Sequence, residues 1–297
     1  MQLVEQHVID RNHPYFAEID RAAFASKNLF NAVNYALRQA YIFQGLRMNY
    51  ATLAGQFKEH EAFKALPAKV AQWTLKTLDK AWKGFFAAKR EWEKHPEKFT
   101  GQPALPKYKD KTKGRNLLVY SIQAISSKRI KQGVIKLSGL SFHLKTKQKQ
   151  IDQVRVVPRK GFYVVEVVYT VAEKPAALNP SLVAGVDLGV NNLAVVASNK
   201  PGFMPLVVNG RPLKSINQFY NKRKAALQSH LPDNRETSNQ MQAISNKRTR
   251  RINHYLHVAS HRIVAHLVKH GIGTLVIGKN DFWKQAVNTG KRNNQNF

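Results

Sequence analysis

The sequence has no cysteine and few acidic residues. Without cysteine, the 297 residues can form no disulfide and no cysteine-ligated zinc site. Lys and Arg number 48 against 18 Asp and Glu, which gives a formal net charge of +30 and a pI near 10.4. Because so many like charges repel one another unless a polyanion neutralises them, we expect a nucleic acid as the partner, with an anionic membrane surface as the alternative.

Long hydrophobic runs are also missing. No apolar run approaches the roughly 18 residues that a membrane-spanning helix needs. The first residues, Met-Gln-Leu-Val-Glu-Gln-His, have neither the basic nor the apolar region of a signal peptide. We therefore expect a cytoplasmic protein with no membrane partner. The length and the hydrophobic share of 43% are enough for about two folded domains.

Two long helices are predicted in the N-terminal part, after a short strand over residues 2–9. Apolar residues recur at helical spacing over 14–44 and again over 67–94. The second segment carries Trp73 and Trp82 on its apolar face. Aromatic residues at helical spacing favour a place in the core over stacking on bases.

A basic loop and a β module follow. Residues 102–115 combine Pro, Gly and many lysines, so they form no regular element. Alternating apolar residues over 135–144, 153–157 and 162–170 predict strands, with 158–161 as a hairpin turn. Together they indicate a small antiparallel module, which we interpret as a barrel.

Two groups of residues are candidates for contacts with nucleic acid. In the loop, basic side chains surround a tyrosine, which suits a backbone whose phosphates meet cations while a base stacks on the ring. The second group is a basic block in the last long helical stretch, where a merely solvated face is the alternative. The candidates are Lys107, Tyr108, Lys109, Lys111, Lys113 and Arg115 in the loop, and Lys247, Arg248, Arg250 and Arg251 in the helix.

The C-terminal part is predicted to hold a second sheet. Strands are expected over 183–188, 193–198 and 205–208, then a helical stretch that resumes over 235–269, then a strand over 274–278. Asp187 lies inside the first apolar run, between Gly185 and Gly189. Because an unpaired buried charge costs several kcal/mol, this position predicts a metal ion, a phosphate-bound metal or a basic partner. The alternative is an Asp that merely begins the turn.

This order of elements is that of an RNase H-like domain, and residues 185–194, Gly-Val-Asp-Leu-Gly-Val-Asn-Asn-Leu-Ala, resemble the first RuvC motif of the TnpB (OrfB) proteins of IS200/IS605-type insertion sequences. Residues 106–109, 275–285 and 290–297 are also similar to that family. The resemblance implies an α+β multidomain protein. Its parts would be a β-barrel wedge (1–12 and 100–176), a helical recognition insert (13–99) and a RuvC-like α/β domain (181–297).

The resemblance also implies a function. TnpB proteins are relatives of type V CRISPR effectors and act as RNA-guided DNA endonucleases. A guide RNA derived from the end of the element and a double-stranded target DNA would then be the partners of this chain, and the prokaryotic nucleoid its place.

The chemistry of this family uses three acidic residues around two Mg²⁺ ions. Asp187 matches the first acid, and Gly278 stands where the second is normally found. Asp281 is the one local candidate for a second acid, although a helix cap is the simpler role for it. The third acid and a four-cysteine Zn²⁺ ribbon have no counterpart here. We therefore expect a C-terminally truncated member that binds nucleic acid and cleaves poorly or not at all.

Two other functions remain open from the sequence. One is a catalytically dead binder of guide RNA or DNA that acts as a repressor-like competitor. The other is an actin-like ATPase or sugar kinase, whose phosphate loop residues 185–192 also resemble. That loop normally has Thr or Ser where Val190 and Asn191 stand, and a charge of +30 does not suit a kinase.

Overall fold

The computed structural model describes residues 1–173, 175–232 and 234–278. The described chain falls into two compact units, 1–173 and the residues from 175 on. Mixed helix and strand content is confirmed in both. Asp281 and the similar segment 290–297 lie outside the described residues.

The N-terminal unit begins with a strand and two long helices where the sequence predicts them. Between these helices lie two short ones that hydrophobic periodicity did not predict. Each short helix begins at a side-chain cap: Asn49 Oδ1 accepts from the Thr52 N–H, and His60 Nδ1 from the Ala62 N–H. The elements are β1 (Gln2–Asp10), α1 (Phe16–Gln44), α2 (Tyr50–Phe57), α3 (Glu61–Lys64) and α4 (Ala68–Lys94).

The rest of this unit is a four-stranded antiparallel sheet with the order β1-β6-β5-β2 and a separate two-stranded ladder, β3-β4. The predicted hairpin is confirmed, since Arg159 pairs with Phe162 and Gly161 takes a φ of 81° in the turn. Closure into a barrel is not confirmed, because β1 and β2 form opposite edges of the sheet. The strands and the remaining helix are β2 (Leu118–Ser121), α5 (Ser127–Lys131), β3 (Val134–Lys136), β4 (His143–Lys145), β5 (Gln153–Arg159) and β6 (Phe162–Thr170).

One hydrophobic core joins the helices and this sheet. Leu29 of α1 and Leu75 of α4 are fully buried in the same cluster as Val154 and Val165 of the sheet. Trp82 also belongs to it and is 3% exposed, as its helical spacing predicts. Because residues 13–99 share this core with the strands, the separation into a wedge and a helical insert stays a prediction.

The second unit has a mixed sheet with the order β10-β7-β8-β9, in which β10 runs parallel to β7 and the other pairs are antiparallel. This is the sheet that the sequence predicts. The elements of the second unit are β7 (Asn179–Leu188), β8 (Asn192–Ser198), β9 (Leu206–Asn209), α6 (Arg211–Gln228), α7 (Asn239–Lys269) and β10 (Ile272–Ile277).

Helix α7 covers one face of this sheet. Ala184, Val186 and Val196 on the sheet are buried with Ile263 and Leu267 of the helix. Leu256 has the helical spacing of these buried α7 residues but is 42% exposed. The N-terminal half of α7 packs against α6, where Met241 is buried and Ser245 and Arg248 are half-buried.

Candidate nucleic-acid interface

The basic loop is an ordered strap that lies along α1; we use "strap" for residues 106–116. Asn31 holds its middle by two hydrogen bonds, donating from Nδ2 to the Lys109 carbonyl and accepting the Lys109 N–H, both at 2.9 Å. The Pro106 carbonyl accepts from Asn34 at 3.0 Å and from Arg38 at 3.1 Å. Side chains on successive turns of α1 therefore fix an irregular segment that does not belong to a sheet.

Asn34 connects the strap to the core. Its side chain is fully buried, and its Oδ1 accepts from the Trp82 Nε1–H at 3.0 Å while Nδ2 holds Pro106. One amide thus satisfies groups of α4 and of the strap. Loss of this amide would leave the buried Trp82 indole N–H unsatisfied and the Pro106 carbonyl with only its bond from Arg38, which is costly.

Lys27 is a buried cation that also serves the strap. It is 2% exposed, and its Nζ donates to the Lys111 carbonyl at 2.6 Å and lies 3.7 Å from the centre of the Phe24 ring. Burial lowers the pKa of Lys27, and the nearby Arg115 charge lowers it further. Lys27 therefore holds the strap and cannot reach a ligand in solvent.

An ion pair connects the end of the strap to α1. Arg115 meets Asp20 with two hydrogen bonds of 2.8 and 2.6 Å, and the Tyr163 hydroxyl donates to the same carboxylate at 2.6 Å. The Arg115 guanidinium is the main reason why the pKa of Asp20 lies below its usual range. Burial, followed by Asp20, raises the pKa of Tyr163. Arg115, predicted to contact nucleic acid, thus makes an internal ion pair.

The other predicted residues of the strap differ in exposure. Lys107, Lys111 and Lys113 are exposed, and Tyr108 is 43% exposed with the Arg38 guanidinium 4.9 Å from its ring centre. Lys109 is half-buried against the Phe30 ring, and burial lowers its pKa. The strap therefore presents three lysines and one tyrosine to solvent in a fixed spatial arrangement.

Sequence reasoning missed the residues that hold the strap. Lys27, Asn31, Asn34 and Arg38 follow one another at steps of four, three and four residues, which places them on one face of α1. Polar residues at helical spacing inside an apolar helix were the available signal.

Helices α6 and α7 form the second basic surface. Together they carry eleven Lys and Arg and no carboxylate. Tyr220 and Ser245 join them by a hydroxyl pair 2.9 Å apart. The Arg248 Nε donates to Asn217 Oδ1 at 2.7 Å, and its guanidinium lies 5.0 Å from the Tyr220 ring centre.

The predicted basic block therefore divides into two roles. Arg248 is half-buried and fastens α7 to α6, whereas Lys247, Arg250 and Arg251 are exposed. With no carboxylate on either helix, the exposed side chains give this surface a strong positive potential.

Asp187 lies at the end of β7, but it is exposed, so the argument from a buried charge is wrong. It pairs with Val195 on the sheet face opposite α7, whereas its neighbour Val186 points into the core. Side chains alternate between the faces of a strand, and only one face of this sheet is buried against a helix in the described residues. The apolar run around Asp187 therefore did not imply burial on both faces.

The turn after β7 is tightly held. The Gly210 N–H, at the start of α6, donates to the Asn191 carbonyl at 2.7 Å, and Lys214 Nζ donates to Asn191 Oδ1 at 2.8 Å. A Cβ on Gly210 would lie 2.2 Å from the Val190 carbonyl oxygen, so only glycine fits there. The position of Asp187 is thus set by an ordered turn.

The described residues do not make a two-metal site. They contain no group of three His, Cys, Asp or Glu that could hold a metal ion. Within 175–232 and 234–278, Asp187 and Glu236 are the carboxylates, and Glu236 lies between α6 and α7 rather than at a strand end. The expected Mg²⁺ pair therefore does not fit these residues by themselves.

The mixed sheet, the basic helix pair and Asp187 all lie within a segment that matches a known family. Residues 166–283 match the OrfB_IS605 family model, described as a probable transposase. This segment is similar to the members of that family. The resemblance to TnpB (OrfB) proteins inferred from the sequence is confirmed. The match covers less than half of the chain, and most of the N-terminal unit lies outside it.

The similarity of this chain to solved structures is weaker. A Cas12f1–sgRNA–target DNA complex matches at 12% identity and a TM-score of 0.29, over 93% of this chain and 73% of that one. A CRISPR-Cas12f ternary complex matches at 12% identity and a TM-score of 0.30, over 89% and 63%. At such scores the likeness carries no argument about the arrangement of the whole chain. No curated protein matches.

No helix within residues 1–173, 175–232 and 234–278 combines the length and the apolar character that a membrane span requires.

Proposed function

We propose that this protein binds nucleic acid in the manner of TnpB (OrfB) proteins, holding a guide RNA and, through it, a double-stranded target DNA. The observation that carries the proposal is the pair α6 and α7, whose eleven cations face no carboxylate on either helix. Both helices lie within the segment that matches the OrfB family. A surface of this kind gains affinity by releasing counterions from phosphates.

The strap supplies a second set of phosphate contacts. Lys107, Lys111 and Lys113 extend from a backbone that α1 already holds, so little conformational entropy is lost in the backbone when they bind. Tyr108 offers a ring on which an unpaired base stacks. Lys109 and Arg115 are held inside the fold and act through the conformation of the strap.

Asp187 is proposed as the first metal ligand of an OrfB-type nuclease site. Carboxylate oxygens are ligands that Mg²⁺ prefers, and the ordered turn 189–192 fixes the strand end that carries this one. A single carboxylate does not hold two Mg²⁺ ions, so no cleavage step is assigned to the described residues. Asp281 stays a candidate second acid.

A catalytically silent binder is the second candidate function. It is favoured by the one observation that Asp187 is exposed and, among the described residues, is the sole carboxylate at a strand end of the second sheet. Such a protein would compete for the guide RNA or the target DNA and would act as a repressor.

Guide dependence gives the decisive test. The protein is purified with its bound RNA, the RNA is sequenced, and binding is measured to a labelled DNA duplex that matches the RNA and to a scrambled duplex. We expect tight binding of the matched duplex and at least tenfold weaker binding of the scrambled one. Equal affinity for both duplexes would contradict guided binding.

Cleavage of the matched duplex in Mg²⁺ distinguishes the two candidates. Cutting that is lost in Asp187→Ala would establish the nuclease, and binding without cutting would establish the silent binder.

A further inference from the structure

A cavity of about 870 Å³ lies where the β5–β6 turn, the end of the strap and the start of α1 meet. Its volume is in the range of cavities that hold small ligands. Five cations and one carboxylate line it. These are Arg11, Lys113, Arg115, Arg159 and Lys160, together with Asp20.

The single carboxylate does not offset the whole charge. Asp20 is paired with Arg115 at 2.8 and 2.6 Å and accepts the Tyr163 hydroxyl at 2.6 Å. Since Arg115 lowers the pKa of Asp20, the carboxyl group stays ionised and cancels the charge of Arg115. Among the residues that line the cavity the cations outnumber the carboxylate by four, which favours an anion.

Aromatic rings stand beside these cations. Phe16, Phe162 and Tyr163 line the cavity, and the centres of the Phe16 and Tyr163 rings are 5.6 Å apart. Phe162 is half-buried and lies directly across the hairpin from Arg159, so the ring and the guanidinium are neighbours on one face. Asp10, its partner on the other side, accepts the Asn12 N–H at 3.1 Å.

We propose that this cavity binds one unpaired nucleotide of a single-stranded nucleic acid. Arg11, Lys113 and Arg159 contact its phosphates, and its base stacks on Phe162. Cations that follow a backbone beside a ring that takes a base are the features of single-strand sites. A base inside a duplex is stacked on both sides and does not offer a free face. The inference rests on the proposed nucleic-acid binding and adds a site that prefers unpaired strands.

The Asp20–Arg115–Tyr163 group keeps the cavity in shape. These three side chains join α1, the strap and β6, the elements that carry the walls. They are positioning residues and are therefore left unchanged in the test.

The test compares two double variants of equal charge. Lys113→Ala/Arg159→Ala removes two cations of the cavity, and Lys128→Ala/Lys131→Ala removes two exposed cations of α5. Affinity for a labelled single-stranded RNA and for a duplex of the same sequence is measured over a salt series. For the cavity variant we expect about tenfold weaker single-strand binding and a salt slope lower by about 1.4, at roughly 0.7 per phosphate. The α5 variant should stay within about twofold.

The ring is tested separately. Phe162→Leu keeps an apolar side chain but removes the stacking face, so single-strand affinity should fall about tenfold with an unchanged salt slope. Photo-crosslinking with a 5-iodouridine-substituted strand should mark the hairpin 158–163.

Several outcomes would overturn the inference. These are equal losses in the two double variants, a duplex loss as large as the single-strand loss, no crosslink to the hairpin, or tighter binding of polyglutamate than of single-stranded RNA. Lys247→Ala/Arg250→Ala/Arg251→Ala serves as the reference. If it weakens binding and the cavity variants do not, the cavity is wrong and the proposed function stands. If neither weakens binding, the proposed function itself fails.

Discussion

The two units of this protein carry their positive charge in different ways. Residues 1–173 have 30 Lys and Arg and 14 carboxylates, and several of these cations are held by the fold, such as Arg115 on Asp20 and Lys27 on a strap carbonyl. From residue 174 on there are 18 cations and 4 carboxylates, and α6 and α7 have no carboxylate. Net charge alone indicates a polyanionic ligand. Which cations that ligand can reach depends on the neighbouring groups that hold each side chain.

The hydrophobic cores of the two units also differ. The N-terminal core joins five helices to a sheet, and its polar groups are part of the packing. The second core is one sheet face against α7, and α6 has no buried residue. Polar substitutions should therefore affect stability in the first unit and affinity in the second.

The largest effect is expected for Asn34→Ala. It leaves the Trp82 indole N–H and one bond of the Pro106 carbonyl unsatisfied in a buried place, so the free energy of unfolding should fall by about 3 kcal/mol. Urea unfolding followed by tryptophan fluorescence measures it, because Trp73, Trp82 and Trp92 lie in this unit. Asn28→Ala, exposed on the same helix, is the control and should change stability by less than about 0.5 kcal/mol. Equal effects would show that the strap is not held as described.

The next effect concerns the ion pair of Asp20. Asp20→Asn should destabilise the protein by about 2 kcal/mol at neutral pH, because it removes a charged hydrogen-bond partner of Arg115. The folded pKa of Asp20 lies below its ordinary value of 3.8, so this contribution is complete above pH 3.8 and is lost as the pH falls through the folded pKa. The difference between wild type and variant should therefore shrink in acid. A difference that is constant from pH 7 to about pH 2 would contradict this assignment.

A smaller effect, on affinity, is expected for Lys247→Ala/Arg250→Ala/Arg251→Ala. Nucleic-acid binding should weaken about tenfold, and the salt slope should fall by about 2 to 3, because three phosphate contacts are removed. The control Lys58→Ala/Lys64→Ala/Lys98→Ala removes the same charge where carboxylates stand nearby, Lys64 on Glu59 and Lys98 on Glu91. An equal loss in both variants would mean that total charge, rather than this surface, determines affinity.

The smallest effect is expected for Asp187→Ala. Its carboxylate is exposed and makes no hydrogen bond or ion pair with the described residues, so stability should change by less than about 0.5 kcal/mol and nucleic-acid binding by less than about twofold. Thermal unfolding and a binding titration measure the two quantities. A loss of more than about 2 kcal/mol would restore the structural role that the buried position suggested.

Much of the fold could be predicted from residue patterns. The 3.6-residue period predicted α1 and α4, and period-two alternation with a Gly-containing turn predicted the β5–β6 hairpin. The parallel pair β7 and β10 agrees with the RNase H-like order of elements inferred from the sequence. The short helices α2 and α3 were missed, because segments of eight and four residues hold too few apolar positions to show a period.

The candidate site was less predictable. An apolar run around Asp187 is compatible with a strand buried on one face or on both, and the sequence does not distinguish them. The strap was correctly predicted to be irregular, but its ordering depends on α1 side chains 68 to 95 positions earlier in the chain. No local pattern reports such contacts.

Residue type and local spacing were enough to establish the charge, the absence of disulfides and cysteine-ligated zinc, the order of helices and strands, and the family resemblance of the motif around Asp187. Three other properties become visible only in the folded chain: which cations are held within the fold, which face of β7 is exposed to solvent, and which residues line the cavity at the end of the first sheet. These properties arise from side chains that are distant in the chain and become neighbours when the core forms.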